Sequence, residues 1–215
     1  MFLWYSELMS FSREFIEKTI ELARLLFAFG EVERVTHHPD GIAHETDTTH
    51  TVMLGVMACA FAKEHAPHLD LGKIAQFALI HDLVEVYAGD TNTFAKDVSH
   101  SLKEEKENVA LKRIKKEFNS TYPWIGYTIE EYESLSTPEA RYVKVFDKIL
   151  PKISHLLNGG VTVTALGHTD ESLQEWLSTQ IQKIENSYGK DTGSVLDLYK
   201  TFAGELQSLI NKKKV

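Results

Sequence analysis

The sequence predicts an all-α protein, a compact bundle of about seven or eight helices. Apolar residues recur every three or four positions over most of the chain, and no β-hairpin signal is apparent. The 215 residues are 43% apolar and include only 12 glycines and 5 prolines. A chain of this length and composition can bury a core of its own. It contains no repeat or low-complexity linker, so we expect a single domain over residues 1–215.

The predicted helices follow one another with short connections. The first covers residues 11–29 and ends at Gly30. Residues 31–47 are polar, with Pro39, Gly41 and three histidines, so we expect a surface loop there. The later helices are predicted at about residues 50–65, 70–88, 101–118, 122–135, 138–157, 171–188 and 194–211.

Capping and helix-breaking residues set several of these boundaries. Asp70 is a predicted N-cap of the third helix, which Gly89 closes, and Pro138 occupies a first turn, where proline is accepted. The polar stretch 91–99 is expected to be mobile, and the charged run that begins at Lys103 to be a solvated helix face. The Val-Thr-Val-Thr segment at 161–164 has the local pattern of a short strand.

Charge and cysteine content exclude several classes of protein. The 23 basic and 31 acidic residues give a net charge of −8, which argues against binding to nucleic-acid polymers or anionic membranes. The single cysteine, Cys59, excludes an internal disulfide and a thiolate zinc cluster. The sequence shows neither a signal peptide nor a segment apolar enough to span a membrane, so we expect a cytoplasmic protein.

Ionisable residues interrupt the apolar pattern of the third predicted helix. His81 and Glu85 are four residues apart and Asp82 and Glu85 are three apart, so on one helix all three share a broad face. Burying such groups without partners costs several kcal/mol per ion. A divalent cation is a compact source of the missing positive charge. The alternative is a buried His81–Asp82 ion pair.

Two further residues offer suitable metal ligands. His50 begins a helix that is apolar from residue 52 onward, and Asp147 lies between apolar residues on the helix that starts at Pro138. With His81 and Asp82 they provide two imidazoles and two carboxylates, a set that suits Mn, Fe, Co, Ni, Zn or Mg without selecting among them. An ion pair with a neighbouring basic residue, Arg141 or Lys144, is the alternative for Asp147.

The order of these residues resembles the H…HD…D pattern of the HD-domain metallophosphohydrolases. Residues 81–90 resemble the HD-x-x-E-x-x-x-G-D segment of the 5′-deoxynucleotidase group, and residues 45–50 resemble that group's polar approach to its first histidine. The resemblance spans about residues 34–147. It implies the family's all-α fold, with the C-terminal helices over residues 168–211 packed on the motif region.

The resemblance also implies a role for each site residue. Four residues would bind one divalent metal ion: His50, His81, Asp82 and Asp147. Glu85 would position or deprotonate the attacking water, Arg34 would meet the phosphate and Asp90 would contact the sugar. Val35 stands where the deoxynucleotidases have a tryptophan, which leaves selectivity for 2′-deoxy sugars open.

The implied reaction is hydrolysis of a nucleoside 5′-monophosphate to nucleoside and phosphate. A related enzyme acting on a nucleoside triphosphate, a cyclic nucleotide or (p)ppGpp is one alternative, and a non-catalytic module that binds metal or nucleotide is another. The presence of Glu85 counts against the second alternative. The expected partner is a small nucleotide, and the apolar residues of the last two helices make a homodimer plausible.

Overall fold

The computed structural model describes residues 11–90, 97–188 and 192–212. Within these residues the chain forms ten helices and one two-stranded sheet. In chain order they are α1 (Arg13–Phe29), β1 (Glu33–His37), β2 (His44–Thr46), α2 (Asp47–His65), α3 (Leu71–Ile80), α4 (Glu85–Ala88), α5 (Asp97–Phe118), α6 (Pro123–Glu133), α7 (Pro138–Leu157), α8 (Val161–Ala165), α9 (Asp170–Tyr188) and α10 (Gly193–Lys212).

The predicted all-α class is confirmed, although several segments differ from their predicted structure. The segment at 161–164 is helical rather than extended, and it forms most of α8. The third predicted helix is divided into α3 and α4. α5 begins at Asp97, so the last part of the stretch expected to be mobile is helical, whereas residues 91–96 lie outside the described residues.

A small hairpin replaces the loop expected at residues 31–47. β1 and β2 pair antiparallel, with Glu33 opposite Thr46 and His37 opposite His44. The turn between them begins at His38, and Asp40 Oδ1 accepts hydrogen bonds from the backbone N–H groups of the two residues that follow Gly41. The Pro-Asp-Gly sequence at 39–41 is typical of such a turn.

The third predicted helix ends early because its hydrogen-bond pattern changes at the ionisable residues. Asp70 caps α3 as predicted, accepting from the backbone N–H groups of Gly72 and Lys73. After Ile80 the chain continues as a turn over residues 81–84, in which Glu85 N donates to Asp82 O at 2.8 Å, three residues back. The break therefore puts the His81-Asp82 pair at a helix end.

Helix α7 lies at the centre of the fold, where it contacts α2, α3, α6, α8, α10 and β1. Thr137 caps it through a 3.1 Å hydrogen bond from Ala140 N, and Pro138 occupies its first turn. The main core cluster surrounds it and draws on residues of α2, α3, α9 and α10. The largest fully buried side chains of this cluster include Tyr142, Phe146, Phe77 and Tyr199.

A second core cluster joins the N-terminal helix to the following part of the chain. It contains Leu25 and Phe29 of α1, Ile80 and Leu83 beside the turn, and Ile114 of α5. The turn at residues 81–84 is therefore held between two packed cores. Among the described residues, no helix combines the length and the apolar character required to cross a membrane.

Candidate active site

Four predicted ligands come from three separate parts of the chain and meet at one point. His50 lies in the first turn of α2, His81 and Asp82 follow α3, and Asp147 lies in the middle of α7. One nitrogen or oxygen atom from each residue lies within 4.8 Å of those of the other three. Both histidines are buried, and the two carboxylates are partly exposed.

The hydrogen bonds of the two histidines fit them as metal ligands. His81 Nδ1 lies 2.9 Å from Ala78 O, so Nδ1 carries the hydrogen and the Nε2 lone pair points away from the backbone. This Nε2 lies 2.9 Å from Asp82 Oδ2 and 3.7 Å from Asp147 Oδ1. A neutral imidazole lone pair facing carboxylate oxygens is unfavourable unless a proton or a cation lies between them.

His50 has the same arrangement with a different outer partner. Its Nε2 lies 2.8 Å from Asp147 Oδ1, and its Nδ1 lies 3.8 Å from Oε2 of the buried Glu45. A carboxylate on the far nitrogen is the usual way to fix the orientation of a metal-binding histidine. Glu45 was part of the predicted motif but had no predicted role.

The carboxylates where the four predicted ligands meet shift the pKa values of the two histidines. Burial works to lower the pKa of His81, but the charges of Asp82 and Asp147 outweigh it and raise that pKa to about 10. Burial and the charge of Arg34 likewise work to lower the pKa of His50, but the carboxylates of Asp147 and Glu45 outweigh them and raise it. Burial works to raise the pKa of Asp147, but the two histidines hold it well below its ordinary value. The site therefore attracts positive charge.

Arg34 links this cluster to a second acidic group formed by Asp47, Asp82 and Glu85. Arg34 Nη1 lies 2.9 Å from Asp47 Oδ1, 2.7 Å from Asp82 Oδ2 and 4.0 Å from Glu85 Oε2. The backbone of Arg34 is fixed as well, since His44 Nδ1 lies 2.7 Å from its carbonyl oxygen. Burial, with the charge of Asp82 added, raises the pKa of Asp47 to about 6 against the influence of Arg34.

Glu85 is buried beside the predicted ligands. Lys103 Nζ lies 3.1 Å from Glu85 Oε1, so this lysine points toward the site. The prediction that the charged run of α5 is a solvated face is therefore wrong for Lys103. Burial first, and then the charge of Asp82, raises the pKa of Glu85 to about 9 despite Lys103. No sequence signal distinguished Lys103 from the surrounding charged residues.

Asp90 lies at the edge of the same site. It follows Gly89, whose φ of 76° requires the left-handed region in which glycine is favoured. Its Oδ2 accepts a 3.3 Å hydrogen bond from Val35 N, so the hairpin and the end of α4 are joined beside Arg34. The structure thus brings Arg34 and Asp90 to the same part of the molecule as the four predicted ligands.

The sequence left an ion pair with Arg141 or Lys144 as the alternative for Asp147. Lys144 Nζ lies 3.3 Å from Glu133 Oε1, and Asp147 contacts histidines instead. His37, one of the three histidines of the expected surface loop, is half-buried, and its Nδ1 lies 3.0 Å from Thr162 Oγ1.

A pocket adjoins Asp147 on the side of the C-terminal helices. Its volume is about 60 Å³. It is lined by Arg34, Asp147, Lys148, Pro151, Lys152, His155, Trp176, Gln180, Tyr199 and Leu206. His155 therefore shares the face of α7 that carries Asp147, and two lysines of the same helix join it.

Comparison with known families agrees with this arrangement. The family model described as HD domain matches residues 30–187, which include every residue of the cluster. The chain belongs to the HD-domain family. It is thus placed in the HD superfamily of metal-dependent phosphohydrolases, and the His/Asp cluster of this HD domain is a group that could hold a metal ion.

Two individual relatives show different degrees of likeness. The chain is 30% identical over 105 residues to the 5′-deoxynucleotidase HDDC2 of Bos taurus, a match that covers 48% of this chain and 49% of that protein. The crystal structure of a predicted metal-dependent phosphohydrolase from Magnetospirillum magnetotacticum MS-1 has the same fold. Its TM-score is 0.74 at 22% identity, over 94% of this chain and 99% of that one.

Proposed function

We propose that this HD domain hydrolyses the phosphate monoester of a nucleoside 5′-monophosphate, with one divalent metal ion held by His50, His81, Asp82 and Asp147. The observation that carries the proposal is the convergence of two histidine Nε2 atoms on the carboxylates of Asp82 and Asp147, beside the buried carboxyl of Glu85.

The donor set suits a divalent cation of this kind. Two carboxylates balance its charge, and two imidazoles complete a mixed nitrogen and oxygen site. A bound divalent cation lowers the pKa of a water molecule and polarises a phosphoryl oxygen. Glu45 would hold the ring of His50, and Ala78 O would hold that of His81, so that both Nε2 atoms keep their orientation.

Glu85 is the group that would orient the attacking water and take its proton. Its Oε1 is held by Lys103, whereas its Oε2 is buried and has no hydrogen-bond partner among the described residues. An ionised carboxyl oxygen in this position can accept a proton from water. Lys103 would fix the carboxyl in place and limit its rotation.

Arg34 would bind the phosphate oxygens. Its guanidinium is buried, and its Nε–H has no hydrogen-bond partner among the described residues. A guanidinium offers donors in a fork that matches phosphate, and such charge-assisted bonds strengthen as negative charge develops on the oxygens. Asp47 and Asp82 would hold this side chain in place.

Two separate observations favour a nucleotide as the substrate. The similarity to a protein named as a 5′-deoxynucleotidase favours a nucleoside monophosphate, and Asp90 beside Arg34 is suitable for receiving a sugar hydroxyl. Val35 is smaller than the tryptophan expected at its position, so we propose that both ribose and 2′-deoxyribose substrates are accepted.

Phosphate release from a panel of nucleotides tests this proposal. The chain is stripped of metal and assayed with Mn, Co, Mg and Zn against ribo and 2′-deoxy monophosphates, diphosphates, triphosphates and cyclic nucleotides. We expect release from monophosphates only after metal is restored. Activity confined to the other nucleotides would favour a different phosphohydrolase, and no release with any metal would favour a binding module. The cytoplasmic location and the homodimer stay predictions.

A further inference from the structure

The pocket beside Asp147 contains positive charge that the proposed reaction does not use. Lys152 is only 3% exposed, and Lys148 lies one helical turn before it on α7. Among the described residues, no carboxylate lies within ion-pair distance of either ammonium group. Burying an ammonium without an anion costs several kcal/mol, and a like charge at i,i+4 adds to that cost.

The surroundings of Lys152 hold its ammonium in the pocket without neutralising it. Lys152 Nζ donates to Lys148 O at 2.9 Å and lies over the rings of Tyr199 and Trp176, 4.0 and 5.2 Å from their centroids. The contacts of the Lys152 ammonium are therefore with a backbone carbonyl and two aromatic ring faces, none of which is an anion. Burial and the neighbouring Lys148 lower the pKa of Lys152 to about 7.

The size of the pocket limits what can supply the missing anion. One water molecule needs about 10–15 Å³ of such space, so a volume of about 60 Å³ accepts a group the size of a phosphate but not a nucleoside. The pocket also reaches Arg34 and Asp147. A group inside it would therefore lie next to the proposed site of hydrolysis.

We propose that the pocket between α7, α9 and α10 is a subsite for a second phosphate group of the substrate, held by Lys148 and Lys152. This inference rests on the proposed function and narrows it: the preferred nucleotide carries a phosphate in addition to the one hydrolysed. That second group stays intact, and its binding energy contributes to substrate affinity.

Two titrations on the full chain test the subsite, with Lys152→Met as the variant and Lys200→Met as the control. Lys200 is exposed and paired with Glu185, outside the pocket. First, inorganic phosphate is titrated into metal-stripped protein by calorimetry. Second, adenosine 3′,5′-bisphosphate, adenosine diphosphate and adenosine monophosphate are compared as competitive inhibitors of the metal-loaded enzyme.

We expect Lys152→Met to weaken phosphate binding to the metal-stripped chain by about 10- to 100-fold, the value of a charge-assisted hydrogen bond. We expect a similar loss for at least one of the two ligands with two phosphates and little loss for the monophosphate. Lys200→Met should change neither. Because the substitution removes an uncompensated buried charge, we also expect Lys152→Met to fold and to resist urea better than the wild type.

Three results would overturn the subsite. Unchanged phosphate binding in Lys152→Met, with lower stability, would mean that Lys152 is a structural residue held by its aromatic neighbours. Equal losses for ligands with one and two phosphates would assign the pocket to the hydrolysed phosphate. Weaker phosphate binding with no change for any nucleotide would assign it to free phosphate. The two proposals can also fail separately. If the wild type releases no phosphate from any nucleotide but still binds phosphate in a way that depends on Lys152, the proposed reaction is contradicted and the anion site is not.

Discussion

Arg34 Nη1 lies 2.7 Å from Asp82 Oδ2, across a sequence separation of 48 residues. The contact ties the hairpin to the turn after α3, and the same nitrogen also lies 2.9 Å from the buried Asp47. One guanidinium thus pairs with two carboxylates that come from different elements. The proposed phosphate-binding residue is therefore also a structural one.

Removing this guanidinium should destabilise the protein. Arg34→Met leaves Asp47 without its cation and takes one of two cationic partners from Asp82, which keeps His81. Breaking one side of a buried ion pair costs about 3–5 kcal/mol of unfolding free energy. Urea denaturation of the metal-stripped chain measures it. The matched control is Arg13→Met, whose exposed pair with Glu17 should contribute almost nothing. Similar stability of the two variants would show that the Arg34 contacts contribute little.

Glu85→Gln should separate catalysis from metal binding. The substitution keeps the shape of the side chain but removes its ability to accept a proton, so we expect kcat to fall by about 10²- to 10⁴-fold. Metal content should not change, because Glu85 is outside the proposed ligand set. Glu107→Gln is the control, since Glu107 also pairs with Lys103 but lies outside the cluster. Full activity in Glu85→Gln would remove Glu85 from the mechanism.

Glu45→Gln should weaken metal binding without abolishing the reaction. Glu45 Oε2 faces His50 Nδ1 at 3.8 Å, and losing such a carboxylate typically costs 10- to 100-fold in metal affinity. We expect activity to return when metal is added in excess. Glu33→Gln, on the exposed face of the same hairpin, should behave like the wild type. Unchanged metal affinity in Glu45→Gln would show that His50 is oriented by other contacts.

Lys152 should make stability depend on pH in the alkaline range. Its pKa is about 7 in the folded chain, lowered by burial and Lys148 and partly restored by Asp147, against 10.5 when unfolded. Between these values the unfolded state binds more protons, so the stability of the wild type rises with pH. Relative to Lys152→Met it should gain about 1.4 kcal/mol per pH unit from pH 7 to 10. A pH-independent difference between the two proteins would contradict the buried, uncompensated charge.

The sequence was sufficient for the long helices and for the four metal-ligand candidates, because these depend on local periodicity and on ionisable residues in apolar segments. The end of α7 was predicted correctly since Asn158 and two glycines follow it. The break after α3 could not be predicted in the same way. His81 and Asp82 have no helix-breaking character, and the turn is set by their contacts with Arg34 and Asp147.

The residues that the sequence did not reveal act through long-range contacts. Lys103 sits in a run of charged residues, and only the packing of α5 turns it toward Glu85. Lys152 follows the apolar spacing of α7, so its burial was predictable, but the lack of an anionic partner was not. Glu45 and Asp47 lay within the recognised motif, and their roles required the position of the hairpin.

The metal content of the purified chain tests the central claim most directly. Wild type, Asp147→Asn and Asp197→Asn are loaded with Mn, freed of excess ion and analysed for metal per chain together with phosphate release. Asp197 is exposed on α10 and serves as the control. We predict about one ion per chain and full activity for the wild type and Asp197→Asn, and parallel loss of both in Asp147→Asn. Undiminished metal content in Asp147→Asn would contradict the proposed metal centre.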